Sequence, residues 1–390
     1  MLTLEKFSGI NNVVPQERLD TTDLTVATNV DIGLTGEVWR RGGYSVATDG
    51  CHKNVHEGVG FKLATAEGAL VGIAPDSAKT VLHPALGGAR VWYCNFPDGR
   101  TAFSNGLVRG LTDGKVATEW GVPEPDRAGA ASPVAGALHP GEYRYVLTYV
   151  RLLDGLEGAG LWSAPVQLPD GGILLMNLPQ REGYKINVYL TGANGTSAHL
   201  AGSTLTNSFS YLGANDALVT PYATDGLVPA PAGICLAFWR GRALIAVGKV
   251  LYASRPHQWE LFDPRKDFKQ FSSDITLVEP VKSGIYVGTG TELAFLGGVD
   301  FDSLAYDKVM DGRVVLGSGV SVSGDQVKAG DGTGAGRAMM CIAGGEIVAG
   351  FDGGTLSHLS ANRYTTDVRE VSATFRKVNG IPQYIAVAQQ

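Results

Sequence analysis

The sequence predicts an all-β fold, a β-propeller of about five or six blades with an immunoglobulin- or fibronectin-III-like β-sandwich inserted between blades. Three observations carry that expectation. No stretch of about eleven residues free of Gly and Pro spaces its apolar side chains at i, i+3, i+4 and i+7, so amphipathic helices are not expected. Glycine makes up 53 of 390 residues, about 14% where ~7% is usual, and without the every-third repeat of collagen this means many tight turns. Third, a unit of three short strands joined by turn residues recurs along the chain, as in blades that stack their apolar faces on their neighbours.

The unit is plainest after residue 233. Ile234-Cys235-Leu236-Ala237-Phe238 is expected as a strand, Arg240-Gly241 as a turn and Ala243-Leu244-Ile245-Ala246-Val247 as the second strand. Gly248-Lys249 is the next turn, and Val250-Leu251-Tyr252-Ala253 the third strand. Earlier copies lie at 59–65, 69–73 and 79–82, around Glu67-Gly68 and Pro75-Asp76. Another lies at 91–96, 101–104 and 107–111, around Pro97-Asp98-Gly99 and Asn105-Gly106. A later copy lies at 338–343, 346–349 and 355–359, around Gly344-Gly345 and Asp352-Gly353-Gly354. A looser one occupies 284–287 and 292–296, around Thr289-Gly290. Cys94, Cys235 and Cys341 each fall in the first strand of their copy. Equivalent places in successive blades are spread round a ring, so these thiols read as small buried residues and not as converging metal ligands.

Pro123, Pro125 and Pro133 precede, and Pro229 and Pro231 follow, a stretch where the pattern changes. Tyr143, Tyr145, Leu147 and Tyr149 alternate with Arg144, Val146 and Thr148 in a long strand. Further strands are expected at 164–168, 173–176, 184–190, 199–204 and 208–212. Turn signals every ~8–12 residues over this span describe a sandwich, without the Cys-Trp-Cys pattern of antibody domains. The Pro-stiffened joints should make it a fixed arm. The expected organisation is therefore 1–42 as an N-terminal arm and hairpin, 43–128 as the first propeller part, 129–228 as the inserted sandwich and 229–390 as the second propeller part. In the arm, Asn29-Val30-Asp31-Ile32 and Glu37-Val38-Trp39-Arg40-Arg41 read as a hairpin that closes the ring by pairing with the final blade at 371–387.

Composition narrows the function. Apolar residues are 44% and charged residues 18%, with a net charge of −6. An acidic chain does not suit a duplex-binding surface, which works by counterion release to Lys and Arg. Four cysteines without a CxxC pair suggest reduced thiols. No run reaches the ~18 apolar residues of a spanning helix, and Met1 to Lys6 lack the charged-then-apolar order of a signal peptide, so membrane insertion is not expected.

Candidate chemistry is thin. His52 and His56 are four apart, but Lys53 stands where a zinc-protease helix needs Glu, and Gly58 and Gly60 follow. Gly330-Asp331-Gly332-Thr333-Gly334-Ala335-Gly336 shares only its glycines with a phosphate loop. A glycan-cleaving propeller needs two facing carboxylates, and a sialidase an Arg cluster as well. Asp300, Asp302, Asp307, Arg40, Arg41, Arg240 and Arg242 are the available groups, and acidic turn residues need no catalytic reason. Arg265-Lys266 reads as a solvated turn. The aromatic run of Phe238, Trp239, Trp259, Phe262, Phe268 and Phe271 reads as blade core and subunit contact more readily than as a sugar platform. No catalytic, cofactor-binding or metal-binding residue is assigned, and no enzymatic activity or cofactor is expected.

Two stretches carry a resemblance. Phe7-Ser8-Gly9-Ile10-Asn11-Asn12-Val13 through Pro15, Glu17-Arg18-Leu19, Ala27 to Ile32, Thr35-Gly36 and Arg40-Arg41-Gly42-Gly43 form the first. Phe238 to Leu244, Leu251 to Ser254, Glu260 to Arg265 and Gly284 to Thr289 form the second. They resemble the propeller-bearing ring proteins of bacteriophage necks and tails, similar to the nozzle or hub of short-tailed phages. The resemblance covers about the first 110 residues and 230–300 well, and implies a structural virion protein made in the host cytoplasm. Its copies would form a homo-oligomeric ring around the DNA path, let DNA pass during ejection without specific binding, and dock adjacent tail, neck or portal-adaptor proteins and fibres. The alternatives are a distal baseplate or fibre-anchoring protein, or a carbohydrate-binding or glycan-cleaving propeller.

Overall fold

The computed structural model describes residues 6–389 except 34, 47, 330, 331, 334, 335 and 379. Among these the chain is all-β, with no α-helix and only short 3-10 turns. Five antiparallel sheets run in chain order. Sheet I comprises Lys53–Glu57, Lys62–Ala66, Ala69–Ile73 and Lys79–His83. Sheet II comprises Trp92–Asn95, Thr101–Ser104, Arg109–Thr112 and Ala117–Thr118. Sheet III comprises Ile234–Trp239, Arg242–Val247, Val250–Arg255 and Gln258–Phe262, with Phe268–Gln270 also pairing the third strand. Sheet IV comprises Ile275–Val281, Gly284–Thr289, Glu292–Gly297 and Ala305–Asp311. Sheet V comprises Val320–Ser323, Arg337–Ala343, Glu346–Gly350 and Leu356–His358.

The turns follow from their residues. A two-residue hairpin matched to strand twist needs positive φ at both central positions. Glu67-Gly68 (52° and 80°), Arg240-Gly241 (46° and 78°) and Gly344-Gly345 (57° and 86°) each provide it. Every sheet has a fourth strand that the three-strand unit left out. In sheets I and V the strand left out is the first, and in sheet IV, where only two strands were expected, both the first and the fourth were left out. The strand expected at 59–65 starts only at Lys62, because residues 58–61 form the preceding turn.

The first strands lie side by side, which makes the arrangement propeller-like. Ile234–Trp239 contacts both Trp92–Asn95 and Ile275–Val281, and the latter contacts sheet V. Sheet I joins through the His56 ring, stacked on Tyr93 at 4.8 Å. Apolar cores fill the gaps between sheets. Phe96, Trp120, Leu236, Ile245 and Phe262 lie between II and III. Trp239, Leu244, Val278, Ile285 and Leu296 lie between III and IV. Leu277, Tyr286, Met339 and Cys341 lie between IV and V. Dispersion and water exclusion across these gaps hold neighbouring sheets together.

Between sheets II and III the chain makes an excursion. A three-stranded sheet, Ala130–Leu138, Gly171–Met176 and Ser208–Tyr211, faces a four-stranded one, Glu157–Trp162, Tyr145–Arg151, Tyr184–Thr191 and Ala198–Thr204. Tyr143, Tyr145, Leu147, Tyr149, Ile173 and Val188 fill the space between them. The long strand is covered on its other face too, where Val146 packs with Tyr189, Ala198 and Tyr222. Its alternation therefore does not mark a wet face. The changeover is sharp: Trp120 belongs to the II–III core and Val122 to the core of the excursion.

The N-terminal hairpin forms between Val30–Ile32 and Val38–Arg40, but it does not pair with residues 371–387. Among the described residues Val371–Val378 and Ile381–Ala388 pair only with each other, through eight residue pairs, and bury Val371 against Val315 and Ile342. Their ladder is already satisfied, and the Val38–Arg40 strand is exposed throughout. The arm instead reaches the C-terminal part through polar contacts of its earlier residues. Asn12 exchanges hydrogen bonds with Thr365, Nδ2 donating at 2.8 Å and Oδ1 accepting at 2.9 Å, and Arg363 pairs with Asp23 at 2.5 Å.

Candidate functional site

All five sheets contribute to one cavity of about 370 Å³ on the axis. His56 comes from sheet I, Tyr93 and Asn95 from II, Phe238 from III, Glu279 from IV and Arg337 from V. Asn95 orders one side. Its amide donates to the Glu57 carbonyl at 2.9 Å, so Oδ1 is left to accept from Thr101 Oγ1 at 2.8 Å and from His56 Nε2 at 2.9 Å. That fixes the His56 tautomer, with the proton on Nε2 and a free lone pair on Nδ1. Burial holds the imidazole below its ordinary pKa, against the pull of Asn95 and Glu57. The buried Tyr93 hydroxyl has no hydrogen-bond partner among the described residues, and burial raises its pKa, so it stays neutral.

Glu279 sits between Leu277 and Val281 in the first strand of sheet IV. A Cβ at Gly319 would come within 3.0 Å of its Oε1 and 3.1 Å of its Cγ, so glycine at 319 leaves room for the carboxyl. Burial pushes the Glu279 carboxyl up to about 7, against the opposing pull of Arg337. A carboxyl raised in the fold prefers its proton there, so folding stability should fall as pH rises from about 4.5 to about 7 and level off above. Glu279→Gln should remove this slope and be more stable than the parent at pH 8 by at most about 3 kcal/mol. Urea midpoints at pH 5 and 8 check it, and parallel pH profiles would contradict it.

Sequence reasoning missed Glu279, because a lone Glu in an apolar strand carries no motif. The signal was the charged residue breaking Ile275 to Val281. His56 was considered only as a metal ligand. It lies on a strand with its ring against Tyr93, while His52 Nδ1 lies 3.2 Å from the Gly50 carbonyl. Among the described residues no three His, Cys, Asp or Glu side chains gather as a metal ion would need. Cys94, Cys235 and Cys341 are buried, and burial raises all three thiol pKa values, Cys94 to about 12. Cys341 departs from the expected equivalence. It lies in the second strand of sheet V, because Val320–Ser323 precedes it.

The remaining candidates are dispersed. Arg41 pairs with Asp31 at 2.9 Å. Arg240 lies over Trp239 and donates to the Lys282 carbonyl. Arg242 is buried on Asp267, with the exposed Asp300 and Asp302 at 4.0 and 3.8 Å. Asp307 is exposed in the fourth strand of sheet IV. Arg265 and Lys266 pair with Asp263. Phe238, Trp259 and Phe262 pack with Phe96 and Trp120 between sheets, Trp239 and Phe271 pack in the III–IV core, and Phe268 is exposed beside Tyr252. The glycine run at 330–336 lies largely outside the described residues.

Two further features lie outside the cavity. The excursion is clamped to the propeller by Glu260. Its Oε1 accepts from Arg100 at 2.6 Å, and its Oε2 from Arg151 at 2.9 Å and from the Gly121 amide at 3.2 Å. Asp98 and Asp154 complete the network. The second feature is the arm. Of the described residues between 6 and 50, only Asn11 and Gly36 are buried. Val13, Val26, Val38, Trp39, Tyr44 and Val46 are exposed.

No protein-family model matches the chain, and no curated protein matches its sequence. Solved structures give distant likenesses. BBS1N in complex with ARL6DN is 11% identical, over 87% of this chain and 90% of that chain, with a TM-score of 0.34. The computationally designed Ika8 protein is 9% identical, over 87% and 96%, with a TM-score of 0.28. Apo AztD from Citrobacter koseri is 14% identical, over 80% and 88%, with a TM-score of 0.25. None is close enough to carry an argument about function.

Proposed function

We propose that this chain is a structural virion protein of the phage tail or neck, a nozzle or hub whose copies form a closed ring around the DNA path. The observation that carries the reading is the arm. Among its described residues the arm buries no apolar side chain, and Trp39, Tyr44 and several valines are exposed. Such a segment gains its hydrophobic stabilisation only on a second surface, and a like copy provides one in a heterologous ring. The sequence resemblance to phage ring proteins supports the same reading. So does the net charge of −6, which leaves passing DNA little to hold.

In this reading the five sheets are five blades, and the hairpin at 371–388 sits where the ring closes. The excursion is an immunoglobulin- or fibronectin-III-like module that docks a fibre or a neighbouring tail protein, held at a fixed angle by Glu260. The protein works in the virion without catalysis or cofactor. Removing residues 1–50 should leave the chain folded but monomeric at concentrations where the full chain assembles, with a urea midpoint lowered only by the loss of the Asn12 and Asp23 anchors. Light scattering with parallel denaturation tests this. A truncated chain that still assembles would overturn the role given to the arm.

A further inference from the structure

The last strand of sheet IV, Ala305–Asp311, pairs with Glu292–Gly297 on one side and with no strand on the other among the described residues. At 7 residues it is longer than the last strands of the other sheets, Lys79–His83, Ala117–Thr118, Gln258–Phe262 and Leu356–His358. An unpaired edge of that length is a template for a further strand, and proteins usually blunt it. Here it is exposed from Ala305 to Lys308. Tyr306 is 54% exposed, with its ring near Phe271 and its hydroxyl donating to Glu292 Oε1 at 2.9 Å. Val299 is exposed in the loop before the strand. Asp300, Asp302, Asp307 and Asp311 are exposed around them, offset in part by Lys269 and Lys308. The buried Arg242 comes no nearer to Asp300 and Asp302 than 3.8 Å.

We propose that this edge receives the arm of a second copy, Val38–Arg40 adding to Ala305–Asp311 as a further strand. The dock presupposes the ring of like copies proposed above and names the surface each arm takes. Its chemistry suits the arm. Residues 38–46 read Val-Trp-Arg-Arg-Gly-Gly-Tyr-Ser-Val, apolar and basic with no carboxylate, and an acidic, part-apolar edge is their complement. Val38, Trp39, Tyr44 and Val46 are exposed. Arg41 holds Asp31 at 2.9 Å, whereas the exposed Arg40 has no carboxylate partner among the described residues. Val38–Arg40 pairs only with Val30–Ile32 among the described residues, so its other edge is open as well. Main-chain hydrogen bonds join the two edges, and side chains alternate across the added strand. With Trp39 beside Tyr306, Arg40 falls on the face of Asp307. The last strand of sheet I suits the arm less: Lys79 lies in line with Ile73, Lys62 and Glu57, a net positive row. The arm is anchored at Arg363 and Thr365, after sheet V, and runs on into sheet I at Lys53. Arm and acidic edge are thus different surfaces of the chain, as a heterologous ring requires.

A mixture of full chains, half of them isotopically heavy and all carrying photoreactive benzoylphenylalanine in place of Tyr306, tests the proposal. Illumination of the assembled protein should link position 306 of one copy to residues 38–46 of another, giving heavy–light pairs. Arg40→Glu and Asp307→Lys change exposed side chains, so their urea midpoints should match the parent's. Each should weaken assembly at least about tenfold, and the two together should restore it to within about threefold of the parent. Sedimentation velocity over a range of concentrations reads these effects. A parent that stays single at every concentration would end the ring reading, and the dock with it. A parent that assembles through its arm would overturn the dock alone under either of two results. One is that Asp307→Lys assembles as the parent does. The other is that the probe at 306 links only within its own copy or to another segment.

Discussion

Alanine at Glu260 is expected to cost about 3–5 kcal/mol of folding stability, the usual result of removing one partner from a buried ion pair. Glu260 is 5% exposed and its carboxylate faces two guanidinium groups. Its removal leaves Arg151, itself only 6% exposed, with the half-exposed Asp154 as its one carboxylate and a long contact to the Glu119 carbonyl, and strips the Gly121 amide of its acceptor. The damage falls at the boundary, because Arg100 and Glu260 belong to the propeller and Arg151 to the excursion. The excursion should therefore loosen before the propeller unfolds, and the joints at 121–133 and 213–229 should become open to protease. Urea denaturation and limited proteolysis read the two effects. Arg100→Ala, at a more exposed group, should cost less than half as much. An unchanged midpoint for Glu260→Ala, with the joints still protected, would show that the clamp does not fix the excursion.

Asp267→Ala should be about as costly, about 3–5 kcal/mol. Asp267 is fully buried and holds Arg242 at 3.1 Å and Arg255 at 3.2 Å. Arg242 lies at the start of the second strand of sheet III and also donates to the Ser254 carbonyl. Without Asp267 its nearest carboxylates are Asp300 and Asp302, exposed and 3.8 Å or more away, which replace little of a buried contact. Asp267→Asn keeps an acceptor in place and should lose roughly half as much. High salt should not reproduce the loss, because screening reaches exposed pairs and not this one. Thermal unfolding of the two variants at low and high salt decides it. A loss under about 1 kcal/mol would mean that Arg242 finds solvent in the variant.

The repeat of strands and turns could be read from the residues because the unit is local. A hairpin with Arg240-Gly241 or Gly344-Gly345 at its tip is specified by a few neighbouring positions. The first strands of sheets I, IV and V were harder to see. Lys53–Glu57 is polar, Ile275–Val281 contains Glu279 and Pro280, and Val320–Ser323 alternates Val with Ser. Each lines the axis on one face, so it lacks the continuous apolar run of a strand packed on both sides. The axial cavity was hidden for the same reason. Its residues come from positions 56 to 337, and no spacing along the chain reports that they meet. The ring-closing pairing of the arm failed because an unpaired strand was assumed in the final sheet. The hairpin at 371–388 satisfies itself, which leaves the arm with polar anchors at Asn12 and Asp23 and an exposed apolar surface beyond them.

Imaging of the full chain by electron cryo-microscopy tests the central claim most directly. The account predicts a closed ring of like copies around an open channel, with residues 26–46 of each copy lying on its neighbour and Trp39 and Tyr44 buried there. Single copies at every concentration examined, or a ring whose arms stay on their own blades, would contradict it.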